Sequence, residues 1–306
     1  MLKQVKLFLG LFSIIMIVSA CNKASESYSF KEVENDRFEH LHGLGYINGG
    51  PEFVISTHDG LYEYGNSEWK EASSEKHDYM GFQAIREGFF SSGHPEPESD
   101  YKNPLGLIKS IDRGASFEKL AFYGEIDFHY LGAGYDSNAV YVLNEMPNDE
   151  ISGGLYYTLD EGTSWTDASM NGYSSDSISN LAVHPKQEEI IAIGSKNGIY
   201  LSKDYGENFT LINDKGMVIY VTLTEDGGYY TSYDNETVEL KSFSIETDQE
   251  VDIPLPDEKM DPIAFIAFNP ENKKEIVIAT NDNTIYLTKD EGLNWNRIAH
   301  NGKLAK

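Results

Sequence analysis

One eight-residue pattern recurs along this chain at a spacing that few architectures tolerate. Ser110-Ile111-Asp112-Arg113-Gly114-Ala115-Ser116-Phe117 is the first clear copy, and Thr158 to Trp165, Ser202 to Phe209 and Thr288 to Trp295 repeat it. Each reads Ser/Thr-x-Asp-x-Gly-x-x-aromatic. Asp160 lies 48 residues after Asp112, Asp204 lies 44 after Asp160, and Asp290 lies 86 after Asp204. The last interval is a double step, so a worn copy is expected near residue 247, around Phe243-Ser244-Ile245-Glu246-Thr247-Asp248. A step back from Asp112 reaches Gly60 to Trp69, which keeps a glycine and a tryptophan but has no Asp in the turn. Six units of this size indicate a repeat fold in which no unit buries its own apolar face alone.

Within a unit the residues read as four short strands. In the fourth, Ile178 to His184, Glu189 to Ser195 and Gly198 to Ser202 are the first three, and Phe209 opens the last. The second is a continuous apolar run, Ile190 to Gly194, matched by Phe53 to Thr57 and Ile276 to Thr280. Such runs suit strands covered on both faces. His58-Asp59-Gly60 and Lys196-Asn197-Gly198 are hairpin signals. Helical periodicity is absent. The expected fold is all-β: a six-bladed β-propeller of four-stranded antiparallel blades, with the repeated pattern closing the turn between strands three and four. It occupies 37–306 as a single domain.

The pattern has a mechanical role in this reading. Asp112, Asp160, Asp204 and Asp290 accept bonds from turn amides. Gly114, Gly162, Gly206 and Gly292 supply a positive φ. Phe117, Trp165, Phe209 and Trp295 pack between neighbouring sheets. These turns resemble the Asp-box (BNR) repeats of sialidases, sortilin-type receptors and related secreted propellers. With the N-terminus described next, the whole chain resembles bacterial secreted lipoproteins of the kind called glycosylhydrolase-like. The resemblance implies the fold and says little about chemistry, because the fold hosts many functions.

The N-terminus reads as a targeting segment. Lys3 and Lys6 precede an apolar run from Leu7 to Val18, too short to span a bilayer comfortably. It ends in Val18-Ser19-Ala20-Cys21, and Cys21 is the only cysteine. This resembles a bacterial lipobox, which implies removal of 1–20, lipidation of Cys21 and a polar tether over 21–36. The protein is then expected on the cell membrane, held by lipid and facing away from the cytoplasm. The net charge of −26 argues against nucleic acid as a partner, since that binding needs clustered cations.

Strand direction alternates, so the repeated turns mark one face of the propeller. The start of strand one and the end of strand two lie on the other. His42, Met80 and His129 align at the start of strand one in the first three units; His58, His94 and Met146 align at the end of strand two. His40 and His77 lie just upstream of the first two. Imidazole with thioether is a donor set for copper, Cu(I) above all, or another late transition metal. The long connections after strand two in units two and three, carrying Glu96, Glu98, Asp100, Asp149 and Glu150, rise on this same face. The expectation is a metal-binding propeller with an exported protein as a possible client.

Two alternatives stay open. One is a scaffold or assembly factor that binds protein or peptide without metal. The other is a glycoside hydrolase, with Asp78, Asp127 and Glu125 as candidate carboxyls near the starts of strand one. Sialidase activity itself is disfavoured. The chain has four arginines, Arg37, Arg86, Arg113 and Arg297, and only the first two can approach the channel. No nucleophile elbow, zinc-protease helix or phosphate loop occurs.

Overall fold

The computed structural model describes residues 27–305 apart from 215, 248, 257 and 258. The signal segment and Cys21 lie outside the described residues. Six antiparallel sheets follow one another in chain order. The first holds β1 (Phe30–Glu32), β2 (Leu41–Gly45), β3 (Phe53–Thr57), β4 (Gly60–Gly65) and β5 (Glu68–Ala72). The second holds β6 (Asp78–Ile85), β7 (Gly88–His94), β8 (Leu107–Ser110) and β9 (Glu118–Ala121). The third runs β10 (Tyr130–Ala133), β11 (Val140–Asn144), β12 (Gly154–Thr158) and β13 (Thr166–Ala168). The fourth runs β14 (Asn180–Val183), β15 (Ile191–Ser195), β16 (Gly198–Ser202) and β17 (Thr210–Asn213). The fifth runs β18 (Val218–Leu223), β19 (Gly227–Asp234), β20 (Thr237–Ser244) and β21 (Glu250–Asp252). The sixth runs β22 (Ile263–Asn269), β23 (Asn272–Thr280), β24 (Ile285–Thr288), β25 (Trp295–His300) and β26 (Lys303–Leu304). The described residues contain no helix. The chain is a six-bladed β-propeller.

Six apolar clusters hold the ring, one between each pair of neighbouring blades. This explains the apolar second strands. Every residue of β3 and of β15 is buried, as are the last six of β23. A strand with a sheet on each side must present apolar groups on both faces.

Closure joins blade six to blade one. β26 pairs with the edge of β25, and the Leu304 amide donates to Asp36 O at 2.8 Å. Across the same seam Trp69 Nε1 donates to Ile298 O at 3.0 Å, and Tyr46 Oη to Glu275 Oε1 at 2.9 Å. β1 pairs with β5 on the outer edge of blade one. It falls inside the stretch expected as a tether. Phe30 packs with Tyr28, and the Arg113 guanidinium lies over its ring, so two aromatics in a polar stretch are enough to dock it.

The four repeated turns share one bonding scheme. Asp112 Oδ1 accepts the Ser116 amide at 2.9 Å, and Ser110 Oγ accepts the Gly114 amide at 2.8 Å. The equivalent bonds form around Asp160, Asp204 and Asp290. The four glycines have φ between 86° and 91°, a region that costs a side chain energy but not glycine. The carboxylates sit below the usual aspartate range. The Ser164 amide is the main cause at Asp160, and the side-chain amides of Asn208 and Asn294 lead at Asp204 and Asp290. At Asp112 partial burial pushes upward and the Ser116 bonds overcome it. In blade one the Asp is replaced by a two-residue hairpin, Asn66-Ser67, with both φ positive.

Candidate metal centre

The side chains that line the channel mouth are aimed by irregularities in the innermost strands. In blade one Leu41 pairs with Thr57 and Gly43 with Ser56, which leaves His42 as an extra, unpaired residue. The same bulge occurs at Ile219 and Ala264, and blade two has one between Met80 and Gln83. A bulge twists the strand and re-aims one side chain. A cavity of about 210 Å³ results, with one residue from each blade: His42, Met80, His129, Ser179, Ile219 and Ala264. Its floor includes Phe82, Leu181 and Tyr220.

Beside this cavity lie two groups of imidazoles with a carboxylate in each. In the first, His42 Nε2 is 3.4 Å from Asp78 Oδ1, and His58 Nε2 is 4.0 Å from Asp78 Oδ2. The rings of His42 and His58 stack, with centroids 4.5 Å apart, and His40 stacks on the other side at 4.8 Å. One donor atom from each of His42, His58 and Asp78 falls within 4.8 Å of the other two, a grouping able to hold a metal ion. In the second, His94 Nε2 and His129 Nε2 approach Asp127 Oδ2 at 3.3 and 3.2 Å.

The first group is short of partners. His42 Nε2 and Asp78 Oδ1 are both buried and make no hydrogen bond. Burial is the main reason that the His42 pKa falls to about 4, with His58, His40 and His129 adding to it. Burial also leads in raising the Asp78 carboxyl; Asp127 adds to this, while His58, His94 and His129 oppose it. His42 is therefore neutral at pH 7, and the contact is not a salt bridge there. Leaving two buried polar atoms unpaired costs on the order of 1–3 kcal/mol each.

The structure sorts the expected ligands. His42, Met80 and His129 share the cavity, whereas His58 and His94 are not among its lining residues and lie against Asp78 and Asp127. Met146 does not line it: its side chain is on the connection after β11, 72% exposed. His77 also turns away. It is fully buried, accepts the Glu96 amide on Nδ1 and meets Glu75 through Nε2, so its upstream position does not bring it to the cluster. Asp78 and Asp127, two of the candidate carboxyls of the hydrolase alternative, lie against the histidines. A signal for this exists two residues before the ring position, where the first three blades carry His40, Asp78 and Asp127. Residues two apart on a strand share a face.

The opposite mouth, on the face of the repeated turns, opens into a larger cavity of about 480 Å³. Tyr135, Tyr229, Phe243 and Phe268 contribute to its wall, and Asp136 and Glu225 to its rim. No motif marks this cavity, because its wall is assembled from residues of different types on separate blades.

A family model for sortilin (neurotensin receptor 3) matches residues 106–251. No curated protein sequence matches the chain. Among solved structures, a GH74 enzyme from Niastella koreensis is similar over 88% of this chain and 46% of its own, at 16% identity and a TM-score of 0.56. The GH74 xyloglucanase from Xanthomonas campestris is similar over 89% and 47%, at 14% identity and a TM-score of 0.55. A structure of YCF48 bound to D1 peptide is similar over 89% and 85%, at 12% identity and a TM-score of 0.50. These likenesses show the propeller fold. The chain spans less than half the length of the GH74 structures it matches.

Proposed function

We propose that this protein is an Asp-box propeller, anchored by lipid on Cys21 outside the cytoplasm, that binds a divalent transition metal through His42, His58 and Asp78. The supporting observation is the pair of buried, unpartnered atoms, His42 Nε2 and Asp78 Oδ1, 3.4 Å apart. Two ligands each about 2.0–2.1 Å from one tetrahedral ion are about 3.4 Å apart. An ion between them would satisfy both atoms at once and reverse the electrostatics that now hold His42 neutral. Two imidazoles and a carboxylate are the donors of zinc and similar borderline ions. The expectation of copper rested on thioethers; Met80 shares the cavity with His42 and His129, but the donors grouped closely enough to hold an ion are two imidazoles and a carboxylate. The role this supports is metal capture or delivery for exported proteins.

The test uses the full chain stripped with a chelator, then titrated with zinc and separately with copper. Zinc binding that weakens at least tenfold in both His42→Ala and Asp78→Asn supports the site. Unchanged zinc affinity in both variants rejects it, and a clear preference for copper rejects the donor assignment.

A second reading is a peptide-binding scaffold. It is favoured by the aromatic-walled cavity at the opposite mouth, and a similar propeller, YCF48, has been solved with D1 peptide. Loss of peptide capture on Tyr229→Ala, with zinc binding intact, would separate this reading from the first. A hydrolase reading keeps less support, because Asp78 and Asp127 are engaged with histidines.

A further inference from the structure

In four blades the glycine of the repeated turn rests against the preceding blade. A side-chain carbon at Gly114 would meet Leu61 of blade one at 2.8 Å, and one at Gly206 would meet Leu155 of blade three at 2.8 Å. Gly162 and Gly292 lie against blades two and five in the same way. Blade one has the hairpin Asn66-Ser67 in place of this turn, so no such turn is pressed against blade six. A cavity of about 480 Å³ opens in the seam there, on the face of the repeated turns and away from the histidines. Phe53, Tyr64 and Leu287, all buried, give it an apolar floor.

One lining group is short of a donor. Glu275 is 9% exposed. Its Oε1 accepts from Tyr46 Oη at 2.9 Å and from Asn269 Nδ2 at 3.1 Å. Its Oε2 makes no hydrogen bond; its charged neighbour is Lys289 Nζ, 3.7 Å away on a side chain that is 72% exposed. A buried carboxylate oxygen without a donor costs free energy, and so exposed a lysine offsets little of it. Glu52 lines the same cavity and has no hydrogen bond or ion pair among the described residues. Asp290, the remaining acid, is engaged within its own turn by Thr288 Oγ1 and by Asn294.

These oxygens are not grouped closely enough to hold a metal ion. A cation that donates hydrogen bonds and carries an apolar stem meets both needs of the cavity. Its charged head would donate to Glu275 Oε2 and displace the Lys289 ammonium, while its methylenes would cover the apolar floor.

We propose that this seam cavity binds an organic cation, an ammonium or guanidinium group on an aliphatic stem, with Glu275 as its anchor and Glu52 as a second counter-charge. The cation is either a free amine of the polyamine kind or a lysine or arginine side chain of a partner protein. The net charge of −26 draws such ligands toward the surface. The site is independent of the histidine group on the other face.

Calorimetric titration of the chelator-stripped full chain with agmatine, and separately with N-acetylarginine amide, tests this. At least one of the two should bind, and N-acetylglutamine amide, which has a stem but no charge, should not. Tighter binding of agmatine assigns the free amine as the source, and tighter binding of N-acetylarginine amide assigns a partner's side chain. Glu275→Gln keeps an acceptor for Tyr46 and Asn269 but removes the charge, and it should weaken binding about tenfold or more. Lys289→Gln removes the competing ammonium and should tighten binding about twofold or more. Should Glu275→Gln lower the melting temperature, Glu52→Gln, which has no hydrogen bond to lose, takes its place and should weaken binding about threefold. His42→Ala/His58→Ala should leave binding unchanged, so this site and the metal group stand or fall separately. Binding of neither cation, equal binding of the neutral probe, or an affinity indifferent to both Glu275→Gln and Glu52→Gln overturns the proposal.

Discussion

Closure of a ring is its most vulnerable step, and here two tryptophans allow it to be measured against a control. Trp69 lies in the seam between blades six and one, 7% exposed, with Nε1 donating to Ile298 O. Trp165 lies between blades two and three against Phe122 and Phe128, and its buried Nε1 makes no hydrogen bond. Trp69→Phe removes about two methylene equivalents of buried ring, about 1.6 kcal/mol at about 0.8 kcal/mol per CH2. The lost bond adds about 1 kcal/mol. Ile298 O still accepts the Ala305 amide at 2.9 Å, so no acceptor is orphaned and the sum stays at about 2.6 kcal/mol. Trp165→Phe loses less packing, about 0.8 kcal/mol for a half-buried ring. It also deletes a donor whose unmet burial costs about 1–3 kcal/mol, so its net effect is near zero or stabilising. About 275 ordered residues at about 2.1 cal/mol/K each give an unfolding entropy near 0.6 kcal/mol/K. The seam variant should therefore melt about 4 °C below wild type, with the control between the wild-type value and about 4 °C above it. Thermal unfolding followed by circular dichroism measures both differences. A control variant as damaged as the seam variant would refute the assignment of stability to the Trp69 bond.

The four turn aspartates give an acid limb to stability. Their folded pKa values lie below the ordinary aspartate value of about 3.9, so each contributes stability above that value and loses it as pH falls through the folded pKa. Asp160→Asn with Asp290→Asn should lower the melting temperature at pH 7 and shrink its fall between pH 7 and pH 3; equal falls in variant and wild type would rule this out. Metal affinity should also report the donor set. Met80→Leu and Met146→Leu should each leave zinc affinity within about twofold, since volume-conserving swaps disturb packing little. A tenfold loss at Met80 would restore the thioether to the site.

The blades were readable because a propeller writes its period into turns. Each turn needs a carboxylate for its amides, a glycine at positive φ and an aromatic to wedge the next sheet, and all three are residue-type requirements. Where another turn solves the same problem the period fades. Asn66-Ser67 does so in blade one with two left-handed residues. In blade five Ser244 Oγ accepts the Glu246 and Thr247 amides, with no aspartate at the usual place.

The site was readable only in part because its geometry depends on a register that residue types do not specify. Counting from the strand starts brings His42, Met80 and His129 to one ring and His58 and His94 to the next. The count alone does not show that His42 is the extra residue of a bulge, and that bulge is what turns its Nε2 toward Asp78 rather than toward a neighbouring strand. The bulge also decides between donor sets. With the ring residues turned into the cavity, the carboxylates two positions earlier become the groups that the outer imidazoles meet. Met146 has no such constraint and follows its loop into solvent. The aspartates that looked like an acid pair for sugar hydrolysis and the histidines that looked like partners for methionine are thereby parts of one arrangement. Its chemistry follows from which atoms lack a hydrogen bond, a property that appears only once the strands are paired.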